Sequence, residues 1–238
     1  MHTKQLYNAF ASSYYTMRKN NKYHNEYIEK PAVLRLLGNI HNKKVLDYGC
    51  GVGSLIKDLL QADATVKAFD ISKKMVQYAQ QAHPTLDIRV GNGKTIPFTE
   101  KFDIIVASLV VHYIKDWNAM FTDMKRVLKK KGIIVFSTGN PVMEATEKKY
   151  IDNKKYRIVQ DYFTKKYVTV SWISDEAKQY QVKSYHKTYE HIIKLIINNG
   201  FTIIDYDDCK PQAKHINPHK YAQYSSTPLF CAFKIQWR

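Results

Sequence analysis

Val45-Leu46-Asp47-Tyr48-Gly49-Cys50-Gly51-Val52-Gly53 begins as an apolar run and passes directly into a loop with glycine at every second position. Leu55, Ile56, Leu59 and Leu60 follow at the spacing of one helical face, so the passage reads strand, tight loop, helix. Glycine in such a loop lets a ligand approach the backbone, and the helix that follows turns its unpaired N-terminal amides toward the same point. An acidic residue, Asp70, closes the next apolar run, Val66-Lys67-Ala68-Phe69-Asp70, twenty-one positions after Gly49. That is the spacing at which a carboxylate on the neighbouring strand accepts both hydroxyls of a ribose.

Outward from this unit the chain keeps alternating. Lys44–Tyr48, Thr65–Asp70, Leu86–Val90, Phe102–Ala107, Gly132–Ser137, Phe201–Tyr206 and Leu229–Trp237 read as strands. Between them, Trp117, Met120, Phe121, Met124, Val127 and Leu128 share a helical face. Ser72 caps a helix carrying Met75, Val76 and Ala79, and Thr188 caps one carrying Ile192, Ile193, Ile196 and Ile197 that stops at Gly200. This alternation predicts an α/β fold: a Rossmann-like, doubly wound, mostly parallel seven-stranded sheet. The last run follows a loop with three prolines that is too short for a crossover helix, so it is expected to enter the sheet antiparallel. One domain over 1–238 is expected, with a helical cap at 1–40, a binding core at 41–140, an insertion at 141–187 and a closing helix and strands at 188–238. The insertion is rich in Lys and Tyr, with paired strands at Tyr167–Ile173 and Gln181–His186. It is long for a plain connection, which marks it as a lid or binding surface.

The 238 residues are 45% apolar and 24% charged, which excludes a collagen-like, coiled-coil or mostly disordered chain. Lys and Arg number 37 against 21 Asp and Glu, a net charge of +16 that permits a polyanionic partner. Only six of the basic residues are arginines, the side chain that reads phosphates and base edges bidentately, so a lysine-rich solvated surface accounts for the charge equally well. Three scattered cysteines (Cys50, Cys209, Cys231) make neither a disulfide framework nor a zinc cluster, and no metal is expected. The apolar runs are too short for membrane insertion, so a cytoplasmic protein is the expectation.

Nicotinamide dinucleotides are disfavoured as the ligand, because their fingerprint spaces glycines G-x-G-x-x-G and here position 54 is Ser while 53 is Gly. Asp47 adds a second acid just before the loop, awkward beside a pyrophosphate but suited to a ligand with ammonium and sulfonium groups. With Asp47 to Gly53 as D-x-G-x-G-x-G, the chain resembles the class I S-adenosylmethionine-dependent methyltransferases. The fit is to the broad group that includes the ubiquinone/menaquinone-biosynthesis and malonyl-carrier-protein methyltransferases, over residues 44–140. The resemblance implies S-adenosyl-L-methionine as cofactor and S-adenosyl-L-homocysteine as product. It implies that Asp47, Gly49, Cys50, Gly51 and Gly53 wrap the methionine end, that Asp70 takes the ribose, and that Ile71 and Met75 lie by the adenine. Gly91-Asn92-Gly93, before Ile96-Pro97-Phe98, stands where the family usually has an Asp, so Asn92 and Gly93 are implied adenine contacts, Asn92 through its amide oxygen. Ser108 and Leu109 are implied to line the methionine moiety. Tyr7-Asn8-Ala9-Phe10-Ala11-Ser12-Ser13-Tyr14-Tyr15 resembles the family's lead-in, in which Tyr14 closes over the cofactor, with Arg18 one turn later near its carboxylate.

Methyl transfer from a sulfonium is an in-line displacement whose leaving group is already activated. The enzyme then contributes alignment and exclusion of water, and a base only if the acceptor must lose its proton early. His112, at the cleft end of a strand, reads either as a catalytic base or substrate contact or as a packed core histidine, and Tyr113 and His186 carry the same pair of readings. The N-terminal helices and the insertion, with Tyr150, Tyr156, Tyr162, Phe163 and Trp172, are expected to form the pocket of a partly apolar small-molecule acceptor. RNA or an acidic carrier protein, met by Lys148, Lys149, Lys154, Lys155, Lys165 and Lys166, is the alternative acceptor. A cofactor-binding subunit without turnover is the alternative role.

Overall fold

The computed structural model describes residues 3–19, 25–173, 179–211 and 227–238. Helix α1 (Thr3–Lys19) precedes a π-turn (Asn25–Glu29) that runs into α2 (Lys30–Leu37). The alternating core is β1 (Lys44–Tyr48), α3 (Ile56–Gln61), β2 (Thr65–Asp70), α4 (Lys73–Ala82), β3 (Ile88–Val90) and β4 (Phe102–Ala107). A 3-10 turn (Val111–Tyr113), α5 (Trp117–Val127) and β5 (Leu128–Gly139) complete it. The short α6 (Pro141–Glu144) leads to two hairpins, β6 (Thr146–Ile151) with β7 (Lys154–Val159) and β8 (Tyr167–Ile173) with β9 (Gln179–Tyr185). Last come α7 (Tyr189–Asn198), β10 (Phe201–Asp207) and β11 (Phe230–Trp237).

Seven strands form one sheet in the order β10-β11-β5-β4-β1-β2-β3. Neighbours from β5 to β3 pair in parallel, and β11 is antiparallel to both β5 and β10. The expected antiparallel strand is therefore present, inside the sheet rather than at its edge. Ile104 and Val106 of β4 pack on one side with Val33, Leu36, Val45 and Val66, while Ile105 and Ala107 face Trp117, Phe121 and Phe136 on the other. Side chains alternate with period two and both layers are buried, which is why such strands read as unbroken apolar runs.

Helix α5 shows local and tertiary preferences agreeing. Asp116 Oδ1 accepts the Ala119 N–H at 3.1 Å, and Trp117, Met120, Phe121, Met124 and Val127 are all buried. Ser72 and Thr188 cap α4 and α7 in the same way. The β6–β7 hairpin has no counterpart in the sequence expectation, because β6 is exposed on both of its faces and no apolar period marks it. Most of the proline-bearing loop ahead of β11 lies outside the described residues, as do the side chains of Lys155 and Trp172. Between β1 and β4 the sheet reverses its direction of winding, and a switch point of this kind leaves a crevice outside the carboxyl ends of the strands.

Candidate functional site

The loop leaving β1 turns back on β2. The N–H groups of Gly49 and Cys50 both donate to the Phe69 carbonyl, at 2.9 and 3.0 Å. Gly49 has a φ of 75°, and a Cβ on it would stand 2.5 Å from Val110 Cγ2. Gly51 has a φ of 55°, and a Cβ there would meet nothing nearer than Tyr14 Cε1 at 3.9 Å. The first glycine is required by packing. The second leaves open space above the backbone.

Three acids surround this loop, Asp47 and Glu29 buried and Asp70 partly so. Asp70, at the end of β2, is held by backbone: Gly51 N–H donates to Oδ2 at 3.0 Å and Ser72 N–H to Oδ1 at 2.8 Å. Each oxygen keeps a lone pair for another donor. Burial raises its pKa, opposed by the amides of Ser72 and Gly51. Asp47 is 2% exposed, and its Oδ2 has no hydrogen-bond partner among the described residues. Burial first, then the charges of Asp70 and Glu29, push its pKa up to about 7. An unpaired buried carboxylate oxygen is costly and suits a cationic or hydrogen-donating ligand. Glu29, from the π-turn, is also buried, and its Oε1 accepts the hydroxyls of Ser108, at 2.8 Å, and Ser137.

A cavity of about 1050 Å³ opens above these groups. Asp47, Gly49, Cys50, Gly51, Asp70, Ile71, Met75, Gly93, Ser108 and Leu109 line one side of it, with Tyr14 and Arg18 of α1 on the same wall. Helix α1 is fastened there by its own polar groups. Asn8 Oδ1 accepts from Ser72 Oγ at 2.7 Å, and Arg18 Nε donates to Ser54 Oγ at 3.0 Å. Burial, with Asp47 and Asp70 nearby, pushes the Cys50 thiol well above its usual pKa, so it stands at the cavity wall as a neutral thiol and not as a thiolate nucleophile.

Tyr7, whose ring meets both Tyr14 and Tyr113, leads from this wall to the far side of the cavity, which carries His112, Tyr113, Met143, Glu144 and Thr146. His112 packs against the Tyr113 ring with centroids 4.2 Å apart, and its Nδ1 is buried without a partner among the described residues. Burial, then the charge of Lys187, pushes the His112 pKa down to about 3, so the ring is neutral. Tyr113 accepts a hydrogen bond from the Tyr7 hydroxyl at 2.8 Å, and burial raises its pKa, so the phenol keeps its proton.

Three expected site residues stand elsewhere. Gly53 does not reach the cavity: a Cβ on it would press on His83, Ala79 and Ile56 at 3.2 to 3.3 Å, so its small size serves the packing of α3 on α4. Asn92 is exposed and off the cavity wall, because its Oδ1 accepts the Lys94 and Thr95 N–H groups at 2.8 and 2.9 Å in an Asx turn. His186 is also off the wall. Its Nδ1 pairs with Glu144 Oε2 at 3.0 Å and its Nε2 with the Tyr162 carbonyl at 3.1 Å, so the ring steadies Glu144.

Tyr7, Glu29 and Glu144 were not anticipated from the sequence. Tyr7, Ala11, Tyr14 and Arg18 recur at helical spacing along α1, a signal sufficient to place Tyr7 beside Tyr14. No comparable pattern marks the two glutamates. Among the described residues, no group of three His, Cys, Asp or Glu side chains is placed to hold a metal ion, and no helix is long and apolar enough to cross a membrane.

Residues 46–136 match the family model described as methyltransferase domain. A ubiquinone biosynthesis O-methyltransferase of Pelagibacter ubique is 28% identical over 110 residues, covering 44% of this chain and 46% of the relative. A malonyl-[acyl-carrier protein] O-methyltransferase of Halalkalibacterium halodurans is 30% identical over 108 residues, 42% of this chain and 40% of the relative. The match thus spans less than half the length of either curated relative. The crystal structure of an S-adenosylmethionine dependent methyltransferase from Mesorhizobium loti shares the fold, with a TM-score of 0.72 at 22% identity over 87% of this chain and 96% of that one.

Proposed function

We propose that this chain, a class I S-adenosylmethionine-dependent methyltransferase, transfers its methyl group to a small, partly apolar acceptor held on the far side of the cavity. The observation that carries this reading is the cavity itself. Its volume of about 1050 Å³ slightly exceeds the ~300–1,000 Å³ usual for a ligand site, and it runs from the acid-lined loop to His112, Tyr113 and Glu144. There is room for a donor and an acceptor side by side. One relative acts in ubiquinone biosynthesis, by its name, and a ring-bearing acceptor of that kind suits a wall of Tyr7, Tyr113 and Met143. The free thiols of Cys50, Cys209 and Cys231 fit a reducing, cytoplasmic setting.

The residues present fit S-adenosylmethionine. Asp70 offers fixed lone pairs to the ribose hydroxyls, Ile71, Met75 and Gly93 border the adenine, and the open face of Gly51 permits close approach. The unpaired Asp47 oxygen suits the positive charge, while Tyr14 and Arg18 cover the methionine end. Bound there, the cofactor supplies an activated methyl group. Gly51→Val is therefore expected to abolish the thermal protection given by S-adenosylhomocysteine, because its side chain fills the cradle. Strain at positive φ costs the free protein only about 1–2 kcal/mol. Undiminished protection in a thermal-shift titration would place the ligand elsewhere.

On the acceptor side, the chain's residues orient and desolvate. A group with a pKa of about 3 is too weak a base to remove a full proton at neutral pH, so His112 acts as a hydrogen-bond acceptor that aims the acceptor's O–H or N–H lone pair. Tyr113, fixed by Tyr7, offers a second polar contact. His112→Ala is expected to lower kcat by roughly 10–100-fold with unchanged S-adenosylhomocysteine affinity, the penalty of lost orientation. An unaltered kcat would return His112 to simple packing.

The reading is tested by incubating the protein and S-adenosylmethionine with a cell extract divided into dialysable and macromolecular fractions, and measuring S-adenosylhomocysteine release. Turnover with the dialysable fraction is the expected result. One observation favours a second acceptor class. The β6–β7 hairpin starts at cavity-lining Thr146 and carries Lys148, Lys149, Lys154 and Arg157 beside Tyr150, which is 70% exposed, and Tyr156. Cations interleaved with aromatics suit RNA or an acidic carrier protein, the latter the kind of substrate named for the malonyl relative. Turnover confined to the macromolecular fraction would replace the small-molecule reading with this one.

A further inference from the structure

The π-turn carries Glu29 into the interior, 2% exposed, under the carboxyl ends of β4 and β5. We propose that Glu29 is a positioning residue for the cofactor side of the cavity: acting through Ser108 and Ser137, it sets the wall formed by Ser108 and Leu109. This rests on the reading of that side as the S-adenosylmethionine site.

Three hydrogen bonds carry the inference. Glu29 Oε1 accepts from Ser108 Oγ at 2.8 Å and from Ser137 Oγ. A hydroxyl has one hydrogen, so Ser137, having donated it to Glu29, turns its lone pairs outward and accepts the Leu109 N–H at 2.8 Å. Glu29 thereby fixes the rotation of a hydroxyl that in turn holds a backbone amide of the cavity wall. Leu109 needs holding. Its φ is 49°, in the left-handed region that a leucine adopts only where its surroundings over-determine it.

The chemistry of Glu29 also speaks for directionality over packing. Burial raises its pKa, opposed first by Ser137 and Ser108 and then by the charges of Arg18 and Lys30. Lys30, next to it in the chain, pairs instead with Glu26 and Asp58, both at 2.7 Å. An apolar side chain would fill the same space without the desolvation penalty, but could not orient two hydroxyls. The π-turn that delivers it is a rare geometry, frequent at functional sites. Glu29 also ends the π-turn that runs into α2, which packs under the sheet. The seating of that turn is therefore read directly at the wall formed by Ser108 and Leu109.

The test is calorimetric titration of the full chain with S-adenosylhomocysteine, with melting temperatures in parallel. Glu29→Leu is expected to weaken binding about tenfold or more, and Glu29→Gln, which keeps an acceptor oxygen for both serines, to remain within about threefold of wild type. Ser137→Ala is expected to match Glu29→Leu, and the double variant to be no weaker than either, since both break one chain of bonds. Affinity of Glu29→Leu equal to wild type overturns the proposal, and so does an equal loss in Glu29→Leu and Glu29→Gln. If Glu29→Leu does not fold, Ser137→Ala decides, and wild-type affinity there overturns it. Wild-type protein that fails to bind S-adenosylhomocysteine takes down the cofactor reading itself, an outcome separable from the loss of the positioning role alone.

Discussion

Asp70→Ala is expected to weaken S-adenosylhomocysteine binding by roughly 100- to 10,000-fold, because two charge-assisted hydrogen bonds, each worth about 1.5–3 kcal/mol, leave together. The carboxylate does more than offer lone pairs. It gathers the amides of Gly51 and Ser72, at 3.0 and 2.8 Å, and so ties the glycine loop to the start of α4. Its removal leaves both amides to find new partners and loosens the cradle itself. Asp70→Asn separates the two effects. Its single carbonyl oxygen can accept from only one side, while its NH2 faces a donor on the other, so an intermediate loss is expected. Calorimetry distinguishes these cases, and an alanine variant binding as tightly as wild type would move the ribose away from β2.

A comparably large effect is a dependence of affinity on pH. Free Asp47 titrates at about 7, above its ordinary 3.8, because it is buried beside Asp70 and Glu29. A positively charged ligand group next to it favours the ionised form, so binding below pH 7 expels a proton. Affinity should rise about tenfold per pH unit between roughly 5 and 7 and level off above. The same shift acts on folding with a definite sign. A carboxylate whose folded pKa lies above its unfolded one contributes stability that is fully present below pH 3.8 and lost as pH rises through about 7. Asp47 by itself should therefore cost the free protein up to about 4 kcal/mol between pH 4 and pH 8, read as the difference between wild type and Asp47→Asn, because Asp87, Asp103 and Asp205, whose pKa values are lowered, act in the opposite direction. Asp47→Asn should remove that loss while weakening cofactor binding. Flat affinity between pH 5 and 7.5 would mean that no positive charge sits beside Asp47.

The parts of the fold legible in the sequence are those where local pattern and burial coincide. Strands β1 and β4 announce themselves because a parallel strand covered on both faces has no polar residue to interrupt it, as in Ile104-Ile105-Val106-Ala107. Asp47, the loop glycines and Asp70 are legible for a similar reason: their chemistry is dictated by backbone geometry a few residues away. Glu29 is not. In a polar N-terminal segment a glutamate reads as surface, and its burial is decided by serines 79 and 108 positions later. The β6–β7 hairpin was missed because its strands lack an apolar face. Asn92 stands off the cavity wall because its side chain closes its own turn, a local use of asparagine that the tripeptide Gly91-Asn92-Gly93 does not announce.

The position of β11 reaches beyond the native state. It is translated after both of its neighbours, yet it fills the slot between β5 and β10, pairing residue for residue along Ile133 to Gly139. A nascent polypeptide that has emerged as far as α7 still presents the ladder of β5 as a bare edge, open to intermolecular pairing. The ribosome thus delivers the keystone after the arch, and the interval before it arrives is when chaperones have most to do.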